Sequence, residues 1–370
     1  MTSANRPTGT QRSSRDLDQL RAGLEQWLAG RLPPDAAPAV PDLTVPSNGQ
    51  SSDTVLFEAT WHEDGSPRSR RLVARVAPQP SDVPLFPRYD LEREFQVLRL
   101  VAEHTDAPVP EVRWLEPDPA PIGAPFFVMS HVDGKVPVDA VYNIDSWLSR
   151  ATADQQRLLQ DSTVAMVARL HAAPDPARHF AFLQYPEAGP TALRRHVAHA
   201  RAWYDYVAAS AGRCPLIEQG FRWVEEHWPA DEGDTVLVWG DARIGNVLYQ
   251  DFRPAALLDW EMAGLGPREI DIAWLVSSHE VFEQMARRYG APGMPDFMRL
   301  DDVTAEYAAV TGHAVRNMDF YLTYAHVQWA TVLVISLYRL AHFGHMPMPD
   351  DIQDLILNRR PLERLLASGA

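Results

Sequence analysis

Residues 238–261, VWGDARIGNVLYQDFRPAALLDWE, constrain this chain more than any other stretch. Three side chains stand out in it: Asp241, Asn246 five positions on, and Asp259 thirteen positions after that. Two short apolar runs, 247–249 and 255–258, flank a polar break at 250–254 and read as a β-hairpin. The hairpin places Asn246 at its entrance and Asp259 at its exit, on neighbouring strand ends. An amide oxygen and a carboxylate held together suit a hard cation such as Mg²⁺, which takes oxygen ligands and keeps several waters. Asp241, on the preceding loop, is then available to orient a hydroxyl for attack on phosphorus.

A base Asp, an Asn five residues on and a metal-binding Asp after a hairpin is the order found in kinase-fold phosphoryl transfer. The stretch resembles the aminoglycoside phosphotransferase family, whose signature runs His-Gly-Asp, four residues, Asn, then Asp-Trp-Glu. Gly240, Asp241, Asn246, Asp259, Trp260 and Glu261 carry the likeness, and Gly266-Pro267 with Asp271-Ile272-Ala273-Trp274 continue it. Trp239 stands where the family usually has His, a support for the loop and not the reacting group. Looser matches run from about residue 42 to the C-terminal helices. The resemblance implies an α+β, two-lobed protein-kinase-like fold: a small antiparallel β-sheet N-lobe plus one helix, and a larger helical C-lobe. Residues 1–14 are expected to be a disordered N-terminus, 15–132 the N-lobe with an N-terminal helix, and 133–370 the C-lobe.

Composition sets outer bounds. A chain of 370 residues, 46% hydrophobic, can bury a sizeable core. A net charge of −15 argues against nucleic acid as the main partner and is compatible with cationic substrates, although an acidic surface also serves solubility alone. One cysteine, Cys214, excludes an internal disulfide and fits a reducing compartment. The polar N-terminus has no apolar signal core, so a cytoplasmic protein is expected. The longest apolar run, 329–338, is too short to span a bilayer and reads as a buried helix. Thirteen histidines occur without a His-Glu-x-x-His or paired-Cys pattern, so no zinc site is expected.

Ser14 is a candidate cap for a helix reaching Gly30, with Leu17, Leu20, Leu24, Trp27 and Leu28 at helical spacing. Residues 31–41 are Pro- and Ala-rich and read as a linker. Strands follow at 43–45, 54–61 and 71–76. The polar turn at 47–52, centred on Gly49, is small enough for backbone N–H groups to approach phosphate oxygens. On the third strand a kinase fold carries a basic residue for the α- and β-phosphates. There is no Lys; Arg70, Arg71 and Arg75 compete and Arg75 is favoured, Arg being a good phosphate ligand because its planar fork can bond two oxygens. The resemblance makes Glu94, on a helix over 90–104, its ion-pair partner, with Glu92 as the competing carboxylate. Strands at 112–115 and 126–131 complete the small sheet. Ser130, His131 and Val132 form the expected hinge, whose backbone would hold a nucleotide base without distinguishing ATP from GTP.

Beyond Gly134 helices are predicted at 153–172, 191–210, 215–228, 271–282, 301–311, 318–343 and 350–366. Arg201, Trp203, Tyr204 and Tyr206 are either core or cleft-lining. His171 reads as structural, and Asp271 as the anchor of the catalytic-loop backbone. Arg243, two residues past Asp241, lies where many kinases carry a Lys against the transferring phosphoryl group. The expected activity is transfer of the γ-phosphoryl group of ATP or GTP to a small-molecule hydroxyl, with Asp241 and Arg243 catalytic. Asn246 and Asp259 would hold Mg²⁺. Gly49, Arg75, Glu94, Ser130, His131 and Val132 would bind nucleotide. The acceptor is open: aminoglycosides name the family, and related enzymes resemble choline, homoserine and hydroxyacyl kinases. Protein substrates are disfavoured, since Asp259 is followed by Trp-Glu and not Phe-Gly. The rival reading is a catalytically silent nucleotide-binding scaffold, motivated by Trp239 and the missing strand Lys.

Overall fold

Residues 54–61, whose side chains alternate between half-buried and buried, run through the first sheet of the protein, whose computed structural model describes residues 15–45, 53–78, 84–139 and 141–368. The turn around Gly49, the N-terminal 14 residues and Ser14 lie outside these described residues. β1 (Ala39–Thr44), β2 (Asp53–Glu63) and β3 (Ser66–Val76) run antiparallel. The turn between β2 and β3 is Asp64-Gly65, both at positive φ (51° and 74°), the pairing a two-residue hairpin with right-handed strand twist requires. After α2 (Leu91–His104), β4 (Val112–Glu116) and β5 (Phe126–Ser130) complete five strands in the order β1-β2-β3-β5-β4. β1 begins inside the Pro-rich stretch expected to be a linker, because Val40 is buried in the core and its backbone N–H donates to Glu25 Oε2 at 3.2 Å.

The helix α1 (Leu17–Ala29) packs Leu20, Leu24, Trp27 and Leu28 into the same core as Val55, Phe57, Phe126 and Val128. Asp16 caps it, its carboxylate accepting from the backbone N–H groups of Asp18 and Gln19 at 2.9 and 3.2 Å. Glu116, buried at the end of β4, is satisfied by Trp27 Nε1 at 2.8 Å and by Arg31.

The chain divides into two compact units, Met1–Gln96 with Pro110–His131, and Val97–Val109 with Val132–Ala370. The second is mainly helical: α3 (Ala153–His171), α4 (Pro176–His179), α5 (Ala192–Ala211) and α6 (Pro215–Glu226), then α7 (Glu269–Arg288), α8 (Leu300–Thr311), α9 (Met318–His342) and α10 (Arg359–Ser368). Between α6 and α7 four short strands form two ribbons: β6 (Thr235–Val238) with β9 (Gly264–Pro267), and β7 (Val247–Gln250) with β8 (Arg253–Leu257). The β7–β8 hairpin turns at Asp251-Phe252, both at positive φ. Phe252 tolerates this because its carbonyl accepts from Ser162 Oγ and its ring meets Trp147 at 5.6 Å.

In this unit one expectation holds, one changes and one open alternative narrows. The apolar run 329–338 is the middle of α9, a 25-residue helix long and apolar enough by composition to cross a bilayer; 83% of its apolar window is buried inside the protein. The helix expected over 350–366 is broken, because buried Asn358 turns its side chain to donate to the His326 carbonyl of α9 at 2.9 Å. On α5, Trp203 and Tyr204 are buried, and the Tyr204 hydroxyl accepts from Cys214 N at 2.8 Å, so these two are core residues.

Gly220 lets α6 lie against α9: a Cβ there would overlap a Val327 methyl. Gly220→Ala gains about 1 kcal/mol of helix propensity. Overpacking against a stiff β-branched neighbour costs 1–3 kcal/mol or so. The net expectation is destabilisation of up to about 2 kcal/mol, read as a lower melting temperature. An equal or higher melting temperature would show that the two helices relax apart freely.

Candidate active site

The loop between β6 and β7 is held by backbone before any of its side chains acts. Asp271, the third residue of α7 and fully buried, accepts from the backbone N–H groups of Trp239 (2.7 Å) and Gly240 (2.8 Å). Its second oxygen also receives His171 Nε2 at 3.0 Å, and His171 Nδ1 meets the Tyr307 hydroxyl at 2.8 Å. Position near a helix N-terminus adds favourable charge–dipole interaction. Gly240 sits at φ +86°, and a Cβ there would collide with the Met262 carbonyl oxygen. His171 and Asp271 are therefore structural, as their sequence setting implies.

Trp239 fills the position of the usual His. It is fully buried, and its indole N–H reaches the carbonyls of Leu258 (3.0 Å) and Asp259 (3.2 Å). It thus braces the loop that presents Asp259, whose own φ is +59°.

Asp241 follows. Its carboxylate is buried and receives three side chains: Arg243 Nε at 2.9 and 3.0 Å, Trp274 Nε1 at 2.7 Å on Oδ1, and Asn246 Nδ2 at 2.7 Å on Oδ2. Asn246 Nδ2 also donates to the Asp241 carbonyl at 3.1 Å. Both partners accept only, so the amide must present its NH₂ to them, and its carbonyl oxygen is left for another ligand. The hairpin register pairs Val247 with Leu257, and Leu258 N donates to the Asn246 carbonyl at 2.8 Å. Asn246 and Asp259 therefore stand at neighbouring strand ends.

Arg243 binds Asp241 through one edge and Asp139 through Nη1. Burial works against its charge, yet the carboxylates of Asp139, Asp241 and Asp259 outweigh this and raise its pKa above the ordinary value. Asp139 is its counterpart. Part of its side chain meets solvent, but Oδ1 is buried with no hydrogen-bond partner among the described residues. Loss of water there lifts its pKa, with Arg243 pulling the other way. Gly245 makes the approach possible: a Cβ would overlap Asp139 Oδ1 and lie 2.6 Å from Arg243 Nη1.

Asp139 and Trp274 were not singled out for these roles by sequence. Trp274 had a signal, since it lies one helical turn from Asp271 and must share its face. Asp139 is 104 residues from its partner and sits in no recognisable pattern.

In the first unit, Arg75 on β3 pairs with Glu94 on α2 at 3.3 Å, with both side chains largely buried. Arg75 Nη1 also contacts its cross-strand partner Thr54 at 3.3 Å. Glu92, Arg70 and Arg71 are exposed. Ser130 ends β5, its N–H donating to the Glu111 carbonyl at 2.8 Å and its hydroxyl accepting from Arg113 Nε. His131 N donates to the Arg71 carbonyl at 3.1 Å, and Val132 opens the second unit.

A family model described as the phosphotransferase enzyme family matches residues 42–300. The chain belongs to this family. Among solved structures, a Ralstonia eutropha JMP134 protein assigned to the aminoglycoside phosphotransferases is 21% identical with a TM-score of 0.64, covering 96% of this chain and 98% of that one. A thermostable mutant of the aminoglycoside phosphotransferase APH(4)-Ia, in ternary complex with ADP and hygromycin B, is 17% identical with a TM-score of 0.53, covering 94% and 99%. These likenesses establish the two-lobed α+β fold of kinase-like phosphotransferases. A probable acyl-CoA dehydrogenase of Arabidopsis thaliana is 28% identical over 304 residues, 77% of this chain but 35% of that protein. The chain spans about a third of the length of such curated relatives.

The described residues of the chain contain no group of three or more His, Cys, Asp or Glu side chains placed to hold a metal. Mg²⁺ bound chiefly through phosphate oxygens and water needs one or two protein oxygens. The free amide oxygen of Asn246 and the carboxylate of Asp259 fit that requirement, and the acid-rich surroundings of Arg243 favour a cation nearby.

Asp139→Asn keeps the side-chain volume and removes the charge that holds Arg243 Nη1. Turnover should fall roughly ten- to a hundredfold, the scale of a small misplacement in a catalytic constellation, while the melting temperature stays close to the parent's. An unchanged kcat would show that Arg243 needs no brace.

Proposed function

We propose that the protein transfers the γ-phosphoryl group of ATP or GTP to a hydroxyl of a small molecule. The observation that carries this reading is the Asp241 carboxylate, buried and fixed by Arg243, Trp274 and Asn246 beside the strand end that bears Asp259. Asp241 orients the acceptor hydroxyl and takes its proton as the oxygen bonds to phosphorus and the bond to the leaving diphosphate breaks. Arg243 offers positive charge to the phosphoryl oxygens. Asn246 and Asp259 would hold Mg²⁺, which when bound neutralises charge on the phosphates. On the first unit, Arg75 supported by Glu94 is assigned to the nucleotide phosphates, and the backbone at Ser130, His131 and Val132 to its base. Gly49 keeps its assigned place over the phosphates on sequence grounds alone.

A nucleotide donor and a small-molecule acceptor accord with the solved neighbour held with ADP and hygromycin B. The names of the curated relatives add hydroxyl-bearing acyl thioesters to the acceptors worth testing. A panel of aminoglycosides, macrolides, choline, homoserine and hydroxyacyl thioesters, followed by ADP release, tests the reading. The single Cys214, buried in the fold, accords with a cytoplasmic location. The rival scaffold reading rests on Trp239 and on the lack of a strand Lys. Release of ADP with any acceptor eliminates it.

Asp259→Ala should abolish Mg²⁺-dependent nucleotide binding, with a smaller loss for Asn246→Ala. Calorimetry giving the parent's Mg·ATP affinity in the Asp259 variant would remove the metal assignment.

Asp241→Asn should leave nucleotide affinity nearly intact and cut kcat by roughly 10²–10⁴-fold, the range of a positioned acid–base group. The amide still accepts a hydrogen bond but cannot take the proton. A melting curve is measured beside kcat. A variant that melts and turns over like the parent would show that the base lies elsewhere.

A further inference from the structure

The buried acid behind the catalytic loop ends a longer row of polar groups. Asp271 Oδ2 accepts from Trp239 N at 2.7 Å and meets His171 Nε2 at 3.0 Å, while Oδ1 accepts from Gly240 N at 2.8 Å. An ionised carboxylate only accepts, so the proton between it and the ring belongs to Nε2. The other ring nitrogen, Nδ1, lies 2.8 Å from the Tyr307 hydroxyl on α8. All three side chains are buried.

Two arrangements of protons satisfy Nδ1. A neutral ring accepts from the phenol, and a doubly protonated ring donates to it. Arg268 decides between them. Its guanidinium, paired with Asp234 Oδ2 at 3.1 Å, also faces the phenol oxygen. A guanidinium only donates, so the phenol oxygen is served from that side and its own proton must find an acceptor. Among the described residues that acceptor is His171 Nδ1. Burial raises the pKa of the phenol to about 12, with Arg268 pulling the other way, so the hydroxyl keeps its proton to donate. The donors then run in one direction: Arg268 to Tyr307, Tyr307 to His171, and His171 to Asp271.

The direction matters to the loop. A ring carrying its one proton on Nδ1 would turn the Nε2 lone pair on Asp271 Oδ2 and set two buried acceptors face to face. The carboxylate would withdraw and loosen the N–H groups of Trp239 and Gly240, the two residues that lead into Asp241. Packing does not need the phenol oxygen. The Tyr307 and His171 rings meet edge to face with centroids 5.7 Å apart, a contact that Phe would also make. The hydroxyl therefore serves the proton on His171 and not the filling of space.

We propose that Tyr307 is a positioning residue for phosphoryl transfer: its hydroxyl holds His171 neutral with the proton on Nε2, and His171 in turn keeps Asp271 on the backbone N–H groups that set the path into Asp241. The link to catalysis rests on the phosphotransferase reading, whereas the hold on the loop does not.

Nitrogen NMR of the histidine rings and amide hydrogen exchange, both on the full chain, test this. The parent is compared with Tyr307→Phe and with Val303→Ala, and His171→Gln identifies the His171 signal. Val303 is buried one turn earlier on α8 and has no polar side-chain atom, so its variant reports lost packing alone. In the parent, His171 should show a protonated Nε2 and an unprotonated Nδ1 that accepts a hydrogen bond. In Tyr307→Phe the Nδ1 signal should lose the shift due to that bond. The amides of Trp239 and Gly240 should then exchange roughly ten- to a hundredfold faster relative to those of β9, the scale of one unsatisfied buried group. Val303→Ala should leave this ratio at the parent's value even where its melting temperature falls further. A His171 protonated on Nδ1 in the parent overturns the proposal, and that measurement decides even should Tyr307→Phe not fold. An unchanged ratio in Tyr307→Phe, or an equal rise in both variants, also overturns it. With an acceptor in hand, Tyr307→Phe should lower kcat about tenfold and leave the KM for Mg·ATP near the parent's; the opposite split removes the link to catalysis. A ratio that rises in Tyr307→Phe alone, with no acceptor turned over by the parent, leaves the hold on the loop standing and removes the phosphotransferase reading instead.

Discussion

One buried carboxylate holds the active-site loop in place. Asp271 has no solvent to stabilise its charge, and a lone buried carboxylate is costly. It is stabilised by two backbone N–H groups, from Trp239 and Gly240, and by His171. The dependence is mutual. Without the carboxylate those two N–H groups would be buried donors lacking acceptors, at about 1–3 kcal/mol each. The loop's path past Gly240, at φ +86°, is thereby fixed from the N-terminal end of α7. The same helix delivers Trp274 to Asp241 one turn later. Backbone geometry of the loop and orientation of its reactive side chain share a single rigid support.

The two departures from the family pattern have physical replacements. A His at position 239 could support the following loop through one ring nitrogen. Trp239 does it with an indole N–H that spans two carbonyls, those of Leu258 and Asp259, and its larger ring packs at 6.0 Å from Trp260. On β3 a guanidinium replaces the ammonium, and its pairing with Glu94 survives at 3.3 Å. Neither substitution leaves a gap that would mark the site as decayed.

Much of this arrangement was legible in sequence because the interactions are local or repeat a known spacing. The Asp64-Gly65 hairpin, the β7–β8 hairpin and the amphipathic face of α1 follow from turn chemistry and periodicity. Asn246 and Asp259 follow from the hairpin between them. Strand β9 did not announce itself: Gly-Leu-Gly-Pro has poor strand propensity, and it is a strand because its backbone pairs with β6. Asp139 was equally silent. Its contact with Arg243 is long-range, and the compensating feature, a glycine at 245 that makes room, reads in sequence as an ordinary turn residue. The break before α10 likewise depends on a tertiary partner, the His326 carbonyl.

Arg243 then raises a question of valence. The Asp241 carboxylate offers about four lone-pair directions. Trp274 takes one, Asn246 another, and the single Nε–H of Arg243 is shared between both oxygens. A hydroxyl oriented by Asp241 needs one of these places. Trp274 stacks on Trp329 at 5.1 Å within the core, and Asn246 is bound twice to Asp241, so neither moves cheaply. Arg243 has another carboxylate to lean on, Asp139, and keeps that contact through Nη1 if Nε lets go. Asp139, Asp241 and Asp259 all act on this one guanidinium, so the group has more negative charge than it can neutralise. In the proposed reaction a triphosphate with its cation would alter that balance, drawing the guanidinium toward phosphate and leaving Asp241 to the hydroxyl. The side chain assigned to the phosphoryl group and the side chain assigned to the proton are thus coupled through one shared N–H.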